Sequence, residues 1–326
     1  MTVLVTGATG HLGNALVRLL LSQGRAVRAL VRDEPRRLPP EVQRFHGDVR
    51  DPGAVRRAVE GVAVVHHLAA VISLVPWDFP KMKAVNEGGT RNVAQACRDA
   101  RVRMVHYSSV HAFRPDTTEA LVDETRGYAL DPSHPAYDRS KALGSLAVDR
   151  LVSEGLDAVT LHPTGVLGPF DPGTSNQGAW LRRVAAGREL ALVRASFDWV
   201  DVRDVVALGV TAEDPSRAPT GEHYLVGSRH GTMEELARYA CEAAGTQPPR
   251  GVLPLWCAEL AAPFGELASR VTGLRLPVTR AAVHALKTHR RISHEKASRC
   301  LGLAPRPLEE TVRDAVRWYR DEGMLR

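Results

Sequence analysis

A glycine-rich turn directly after the first strand-like run is the feature that most constrains the fold of this chain. Residues 2–5 are mostly β-branched and apolar, and residues 6–13 are Thr-Gly-Ala-Thr-Gly-His-Leu-Gly. Glycine is needed where a chain turns tightly and where a helix packs closely against a strand. Because an amphipathic run over 11–23 follows at once, the strand, turn and helix come in the order that opens a parallel α/β sheet.

The alternation of strands and helices continues through the first 165 residues. Asp51 and Pro52 mark one helix start, because the carboxylate can cap the helix and proline lacks only an N–H that would be unpaired there. We therefore predict an α/β fold of the Rossmann type, a doubly wound parallel sheet with helices on both faces. Strands are predicted at 2–5, 26–31, 42–45, 63–67, 102–108 and 158–162, and helices at 11–23, 52–60, 80–100 and 135–154.

After Pro163 the strict alternation ends, and helical patterns dominate a smaller C-terminal lobe. Thr232 and Glu235 have the spacing of a capping box, in which each side chain satisfies an N–H at the helix start. Helices are predicted at 176–187, 203–213, 232–245 and 255–290, and strands at 190–193, 197–202 and 222–226.

Composition limits the classes to which the chain can belong. Its 326 residues are 44% hydrophobic, which excludes a mainly disordered chain. The four cysteines form no CxxC pair, so we expect no metal site, no disulfides and a reducing, cytoplasmic location. The sequence shows no leader and no apolar run of membrane-spanning length, so we expect no membrane partner.

The net charge of +6 raises the question of a polyanionic partner. The surplus comes from residues 246–326, which hold 14 basic and eight acidic residues, whereas residues 1–245 are neutral overall. No aromatic residues are interleaved with these basic ones in the way that nucleic-acid surfaces require. We predict no nucleic-acid partner and interpret the excess as a solvated face of the C-terminal lobe.

The glycine turn also predicts a binding site for a dinucleotide. Its glycines let the backbone approach a pyrophosphate, and the helix that follows presents unpaired N–H groups and a positive dipole end to the phosphates. The alternative interpretation is an ordinary strand–helix turn. The predicted cofactor contacts in this turn are Gly7, Thr9, Gly10, His11, Leu12 and Gly13.

The end of the second predicted strand discriminates between NAD and NADP. An acidic residue there would bind the ribose 2′-hydroxyl, whereas an arginine would bind a 2′-phosphate. The chain has Arg32 and Asp33 at this point, followed by Arg36 and Arg37. We favour NADP(H), with Arg32 as the main phosphate ligand and Arg36 or Arg37 assisting, while Asp33 keeps NAD(H) open.

A tyrosine, a lysine and a serine form the predicted catalytic group. Tyr137 and Lys141 are four residues apart in a predicted helix, so they share a face on which the ammonium can lower the pKa of the phenol. Ser109 follows a predicted strand, at the carboxyl edge of the sheet where ligands bind. Ser108 is the rival for the serine role, and the hydrophobic register of the strand favours Ser109.

These motifs together resemble the extended short-chain dehydrogenase/reductase family over nearly the whole chain. The branch that the chain is most similar to is the dihydroflavonol-reductase-like one, which shares Val-Arg-Asp at 31–33 and a C-terminal motif from Lys296 to Glu310. The motifs that carry the resemblance are the glycine turn, Gly-Asp-Val-Arg-Asp at 47–51, His-Leu-Ala-Ala at 67–70, Asn86, Ser109, Tyr137, Lys141 and His-Pro-Thr-Gly-Val-Leu-Gly-Pro at 162–169.

The resemblance implies carbonyl reduction. Hydride from NADPH would reach the carbonyl carbon while Tyr137 protonates the oxygen and Ser109 donates a hydrogen bond to it. Lys141 would keep Tyr137 acidic and bind the nicotinamide ribose, and Asn86 would be structural. The resemblance further implies cofactor contacts from Asp48 and Val49 at the adenine, from Leu68, Ala69 and Ala70 along the cofactor, from Pro163 at the carboxamide, and from Val166.

The substrate is expected to be a mainly apolar or aromatic ketone or aldehyde. Relatives that act on nucleotide-linked sugars usually have an arginine where this chain has Phe197, which argues against such a substrate. The predicted substrate contacts are Ile72, His111, Phe113, Thr164 and Phe170. A core position is an equally good interpretation of the apolar side chains, and a structural role is the better interpretation of His111.

Three functions stay open at this stage. The favoured one is an NADP(H)-dependent carbonyl reductase or alcohol dehydrogenase acting on a small molecule. The alternatives are a sugar-nucleotide epimerase or dehydratase with tightly bound NAD, and a non-catalytic NADP-sensing protein. Residues 1–165 are assigned to the cofactor and catalysis and residues 166–326 to a substrate-binding lobe interleaved with them. The resemblance also allows a homodimer that pairs the helices at 80–100 and 135–154.

Overall fold

Seven parallel strands form the central sheet of the computed structural model, which describes residues 1–32, 37–115, 120–173, 175–272, 279–289 and 291–325. The strand order is β10-β6-β5-β4-β1-β2-β3, and every neighbouring pair is parallel. The strands are β1 (Thr2–Thr6), β2 (Ala26–Val31), β3 (Gln43–His46), β4 (Val64–His67), β5 (Arg103–Tyr107), β6 (Ala158–Pro163) and β10 (His223–Val226).

Helices cover both faces of this sheet, which confirms the predicted doubly wound α/β fold. Successive strand residues face opposite sides, and in β1 Val3 and Val5 belong to one apolar core while Leu4 belongs to another. The first core contains α1 (His11–Ser22) and α7 (Val202–Thr211). The second contains α2 (Pro52–Val59), α4 (Thr90–Ala100) and α5 (Ala136–Ser153).

The α2 helix begins as its local sequence predicts. The Asp51 carboxylate caps α2 by accepting from the Gly53 and Ala54 N–H groups at 2.8 and 3.2 Å, as predicted. The helical run predicted at 80–100 is present, but it consists of α3 (Phe79–Lys83), a π-helical segment Ala84–Gly89 and then α4. The π segment contains Asn86, and such segments occur frequently at functional sites.

The second half of the chain builds a third core beside the sheet. A three-stranded sheet of order β11-β9-β7 and a two-stranded sheet of β12 with β8 lie there, and β10 leaves this half to pair with β6 in the central sheet. The strands are β7 (Gly165–Leu167), β8 (Ala191–Val193), β9 (Ser196–Asp201), β11 (Arg229–Thr232) and β12 (Gly251–Leu253), and the helices are α6 (Asn176–Ala185), α8 (Met233–Ala244) and α12 (Leu308–Asp321).

The helical pattern predicted at 255–290 corresponds to two helices. The structure has α9 (Leu255–Thr272) and a separate α10 (Arg280–Ala285), and the Thr279 hydroxyl caps α10 by accepting from the Ala282 N–H. Residues 273–278 and 290 lie outside the described residues. The sequence also gave no prediction for β7, β11, β12, α11 (Glu295–Leu301) and α12.

Across the described ranges, none of the helices combines the length and the apolar character that crossing a membrane would require.

Candidate active site

The glycine turn lies at the carboxyl edge of the sheet, between β1 and α1. Gly7 has φ +74°, and a Cβ there would lie 2.6 Å from the backbone nitrogen of Ala69. A Cβ on Gly13 would lie 2.1 Å from the Gly7 carbonyl oxygen. Only glycine satisfies both contacts, so the turn holds α1 and the residues after β4 at backbone distance.

This turn fits the pyrophosphate of a dinucleotide. Gly10 is the N-cap residue of α1. In the described part of the chain, no side chain caps this helix and no acidic residue lies in its first turn. Its first N–H groups therefore have no intrahelical partner and face the sheet edge with the positive dipole end. Beside these N–H groups, Thr9 is exposed and Leu12 is half-buried. The His11 side chain points elsewhere, because its Nε2–H donates to the Pro169 carbonyl at 2.9 Å.

The predicted 2′-phosphate ligands are only partly within the described residues. Arg32 is exposed at the end of β2, close enough to Asp48 to contribute to lowering the pKa of that carboxyl, although Arg50 lowers it more. Arg37 is engaged elsewhere, since its guanidinium contacts the Met324 sulfur. Asp33 and Arg36 lie outside the described residues.

The remaining predicted cofactor residues line the same edge. The Asp48 carboxylate pairs with Arg50 at 2.7 Å, and the Val49 carbonyl accepts from the Asn92 amide at 3.0 Å. Thr6 organises the segment after β4, because its hydroxyl is 2.7 Å from His67 Nδ1 and accepts from the Ala69 N–H at 3.3 Å. Leu68, Ala69 and Val166 are half-buried, Ala70 is exposed, and Pro163 is buried at the end of β6.

Ser109 and Tyr137 meet at the carboxyl end of β5. Tyr137 is the second residue of α5, and a hydrogen-bond interaction with the Ser109 side chain acts to lower the pKa of the phenol. Ser108, the rival, points the other way, its hydroxyl lying 2.7 Å from that of Ser145 within the core. The geometry thus places Ser109, and not Ser108, beside the tyrosine.

Burial dominates the ionisation of Tyr137 and Lys141. It raises the pKa of Tyr137 to about 12, with the neighbouring Asp138 carboxylate adding to the rise. Burial lowers the pKa of Lys141 to about 8. The Lys141 ammonium donates to the Tyr107 carbonyl at 3.0 Å. Lys141 is not among the groups that shift the pKa of Tyr137 in this structure, and desolvation makes that pKa higher than the ordinary value instead of lower.

A chain of hydrogen bonds behind Ser109 was not predicted from the sequence. The His162 Nδ1–H donates to the Ser109 carbonyl at 3.1 Å, and His162 Nε2 is 3.0 Å from His223 Nδ1. His223 Nε2 lies 3.2 Å from the Asp149 carboxylate, which also accepts from the Tyr128 hydroxyl at 2.7 Å. A carbonyl can only accept, so neutral His162 must accept at Nε2 and His223 must donate to it.

An aromatic cluster centred on His111 packs against Tyr137. The His111 ring stacks on Phe197 at 5.9 Å and 8°, and it meets the edges of Tyr137 and His289 at 5.8 and 5.5 Å. Its Nδ1 is 3.4 Å from the buried Asp138 carboxylate. Asp138 and His289 were not singled out in the sequence, because position i+1 on a helix points away from position i and His289 comes from a distant segment.

The other predicted substrate residues are placed differently. Ile72 is 57% exposed near the cofactor edge, and the buried Thr164 hydroxyl has no hydrogen-bond partner among the described residues. Phe113 is 2% exposed and packs on His162 at 4.5 Å, and Phe170 packs against Trp318 and Arg18. This packing argues against the substrate contacts predicted for Phe113 and Phe170, because both rings pack against the apolar cores.

Several known proteins are similar to this chain. The sequence model of the NAD dependent epimerase/dehydratase family matches residues 3–227. Sterol demethylase protein B of Methylococcus capsulatus is 35% identical over all of both chains. A protein of Synechocystis sp. that carries the name dihydroflavonol 4-reductase is 28% identical, with 99% of this chain and 95% of that protein covered. The crystal structure of gox2253 superimposes with a TM-score of 0.84 and 31% identity, covering 100% of this chain and 99% of that one.

Proposed function

The chain belongs to the NAD dependent epimerase/dehydratase family and is an NAD(P)-dependent short-chain dehydrogenase/reductase acting on C–OH or C=O groups, and on this premise we propose its reaction. It reduces the carbonyl of a mainly apolar or aromatic ketone or aldehyde with NADP(H), or oxidises the corresponding alcohol. The observation that carries this proposal is the Ser109–Tyr137 pair, with Lys141 one turn further along α5 and the glycine turn after β1, which β4 separates from β5.

Each of the three side chains has a distinct part in the proposed reaction. The bound dinucleotide supplies the hydride. Tyr137 holds the proton that the carbonyl oxygen receives, and Ser109 donates a hydrogen bond to the same oxygen as negative charge develops on it. Lys141 would bind the nicotinamide ribose of the dinucleotide, one helical turn along α5 from Tyr137.

The protonation of Tyr137 suits the direction of reduction. With a pKa of about 12, the phenol carries its proton throughout the neutral range and can donate it. Oxidation of an alcohol would need the phenolate, which a bound cationic nicotinamide would favour. The hydrogen-bond interaction with the Ser109 side chain acts in this direction, because it lowers the pKa of Tyr137.

The surroundings of Tyr137 support an apolar substrate. Phe197 occupies the position at which an arginine would bind a nucleotide diphosphate, and its ring stacks on His111 next to Tyr137. The names of two relatives, which refer to a sterol and a dihydroflavonol, both denote fused-ring molecules. We infer a ring-containing ketone, contacted by His111, Thr164 and Ile72.

The proposal of NADP(H) depends on Arg32. Its exposed side chain at the end of β2 lies at the edge that the adenosine ribose would occupy, and its charge reaches Asp48. We propose that residues 1–165 serve the cofactor and catalysis and that residues 166–326 form the substrate side, through β9 and His289.

The test follows NADPH absorbance with a panel of cyclic and aromatic ketones and aldehydes. We expect turnover with at least one ring-containing ketone, and loss of that turnover by at least a hundredfold in Tyr137→Phe while the Kd for NADPH stays within threefold. Turnover of a nucleotide-linked sugar without added cofactor would contradict the proposal and favour an epimerase or dehydratase. Full activity in Tyr137→Phe would remove Tyr137 from the reaction.

A further inference from the structure

Helix α9 presents a row of large apolar side chains to solvent. Trp256, Leu260, Phe264 and Leu267 follow one another at helical spacing, and each is 59–73% exposed. We call these four residues the apolar stripe. Leu253, in β12 just before the helix, extends the stripe and is 46% exposed. A contiguous apolar surface of this kind marks an interaction site.

The charged side chains of α9 are distributed unevenly around this stripe. Both of its carboxylates lie on the flank towards α10, where Glu266 accepts from the Arg280 backbone N–H at 2.8 Å and Glu259 pairs with Lys287. Arg270 is exposed next to the stripe at the end of the helix. The stripe itself therefore carries no acidic side chain among the described residues of α9.

The surroundings of the stripe are basic. Residues 250–291 contain seven basic and two acidic residues, which is most of the surplus behind the net charge of +6. Arg194, whose backbone N–H donates to the Leu253 carbonyl at 2.8 Å, is 74% exposed at one end and lies 3.9 Å from the Glu234 carboxylate. Arg280 is 70% exposed on one flank and lies 3.9 Å from the Glu266 carboxylate. Exposed cations beside an apolar helix face are complementary to a surface that combines anionic headgroups with hydrocarbon.

We propose that α9 docks on the surface of an anionic lipid bilayer, with the apolar stripe inserted below the headgroups and the surrounding arginines among them. The helix would lie in the plane of the interface, as amphipathic helices with a basic border do. This reverses the expectation of no membrane partner, which rested on the lack of a membrane-spanning run. It concerns the surface alone and does not depend on the reaction proposed above.

A second copy of the chain fits the stripe less well. Four to five side chains expose on the order of a few hundred Å² of apolar surface, whereas a stable dimer buries ~800 Å² per partner. A twofold contact through the stripe would also bring the arginines of both copies together. These charges repel each other but are attracted by anionic lipid.

The docking surface is connected to the proposed active site. The segment after α10 leads to His289, whose ring lies 5.5 Å from that of His111. A bilayer against α9 would thus lie near the substrate side, where an apolar ketone could enter from the lipid. This last link rests on the proposed function, whereas lipid binding does not.

The test uses the full chain in flotation with vesicles of phosphatidylcholine alone or with 30% phosphatidylglycerol. We expect binding to the anionic vesicles only, a blue shift of the Trp256 fluorescence that Trp256→Phe removes, and at least tenfold weaker binding of Leu260→Gln/Phe264→Gln. Arg270→Gln should weaken binding about fivefold, as expected for one cation near an anionic surface.

A matched control is Leu130→Gln, which changes a leucine that is 42% exposed outside α9 and should bind like the wild type. Circular dichroism verifies that each variant is folded, and NADPH turnover in solution is measured separately, so that failure of either proposal is recognised by itself. Lack of wild-type binding to the anionic vesicles would overturn the inference. So would a wild-type dimer in light scattering that Leu260→Gln/Phe264→Gln converts to a monomer.

Discussion

Desolvation sets the protonation of the two ionisable side chains at the centre of the site. Tyr137 keeps its proton because its pKa is raised to about 12, and Lys141 is close to losing its proton at physiological pH because its pKa is lowered to about 8. Burying an ammonium that has one carbonyl partner destabilises the folded state. Its retention at this position is understandable if it serves the cofactor.

Replacing this lysine should cost activity but not stability. In Lys141→Met at pH 7 we expect little or no turnover and an unchanged or higher free energy of unfolding, because the desolvation of the ammonium disappears and offsets the loss of its bond to the Tyr107 carbonyl. Urea unfolding of both proteins without cofactor measures this. A variant several kcal/mol less stable than the wild type would show that the ammonium stabilises the fold.

The same pair of proteins gives a prediction for pH. Above about pH 8 the folded wild type loses the Lys141 proton, while the unfolded chain keeps it up to the ordinary lysine pKa of 10.5. The stability of the wild type relative to Lys141→Met should therefore rise with pH between these values, by at most ~1.4 kcal/mol per pH unit. Urea titrations at pH 7, 8.5 and 9.5 measure the difference. A difference that falls over this range would contradict the assigned pKa.

Substitution of Arg32 tests whether the protein prefers NADP(H) to NAD(H). In Arg32→Ala we expect the Kd for NADPH to rise at least tenfold, because a charge-assisted bond to the 2′-phosphate is lost, while the Kd for NADH changes less than threefold. Fluorescence titration with both cofactors measures this. Arg56→Ala, which removes an exposed arginine of α2, is the control. Equal losses of affinity for NADH and NADPH would mean that Arg32 does not bind the 2′-phosphate.

At the scale of elements, α5 is held at backbone distance from the π-helical segment. A Cβ on Gly144 would lie 2.3 Å from the Asn86 carbonyl oxygen. The Asn86 side chain bonds both polar groups of the Val71 backbone, at 2.8 and 2.9 Å, and the Ser140 hydroxyl at 2.9 Å. This confirms that Asn86 joins elements, and it fixes the start of α5, where Tyr137 is, relative to the segment after β4.

Gly144→Ala should push these elements apart. We expect a loss of ~1–3 kcal/mol in the free energy of unfolding from overpacking, together with a clear fall in kcat because Tyr137 moves with α5. Gly88→Ala is the control, since a Cβ there meets open space in the neighbouring segment and should be neutral or slightly stabilising. Urea unfolding and steady-state kinetics of both variants measure the effects. Equal behaviour of the two variants would refute the close contact.

The elements also show what the sequence could predict. The strands of the central sheet were found because each is an apolar run that alternates with a helix, as in β1, β5 and β6. The three-residue strands β7 and β12 have no such signal, because their pairing with β9 and β8 depends on tertiary contacts. Helix α12 did have a signal, since Leu308, Val312, Ala315, Val316 and Tyr319 are buried at helical spacing after Pro307.

For the site, the sequence predicted side chains whose positions follow from local rules. Tyr137 and Lys141 share a helix, and Ser109 follows a strand of the central sheet. The bond from His162 to His223 could not be predicted, because these residues are 61 positions apart and meet only through the pairing of β6 with β10. Asp138 and His289 were not predicted as site residues for the same reason, because the residue that they contact, His111, comes from another element.

At the scale of the whole molecule, three apolar cores hold the site and the substrate side together. Two of them sandwich the central sheet, and the third joins β9, α6, α8 and α12. β10 and Phe197 connect this third core to the catalytic edge, one through the sheet and the other through His111. The basic surplus, by contrast, comes from residues 246–326, the part of the sequence that contains α9, whereas residues 1–245 are neutral overall.

The central claim is that this arrangement transfers hydride from NADPH to a carbonyl carbon. The most direct measurement supplies NADPH deuterated at the nicotinamide C4 position, with the ketone that the panel identifies, and analyses the product by mass spectrometry and NMR. We predict one deuterium on the carbinol carbon of the alcohol, and no labelled product with Tyr137→Phe. A product that forms without consumption of NADPH, or one that lacks deuterium when either C4 position is labelled, would contradict the account.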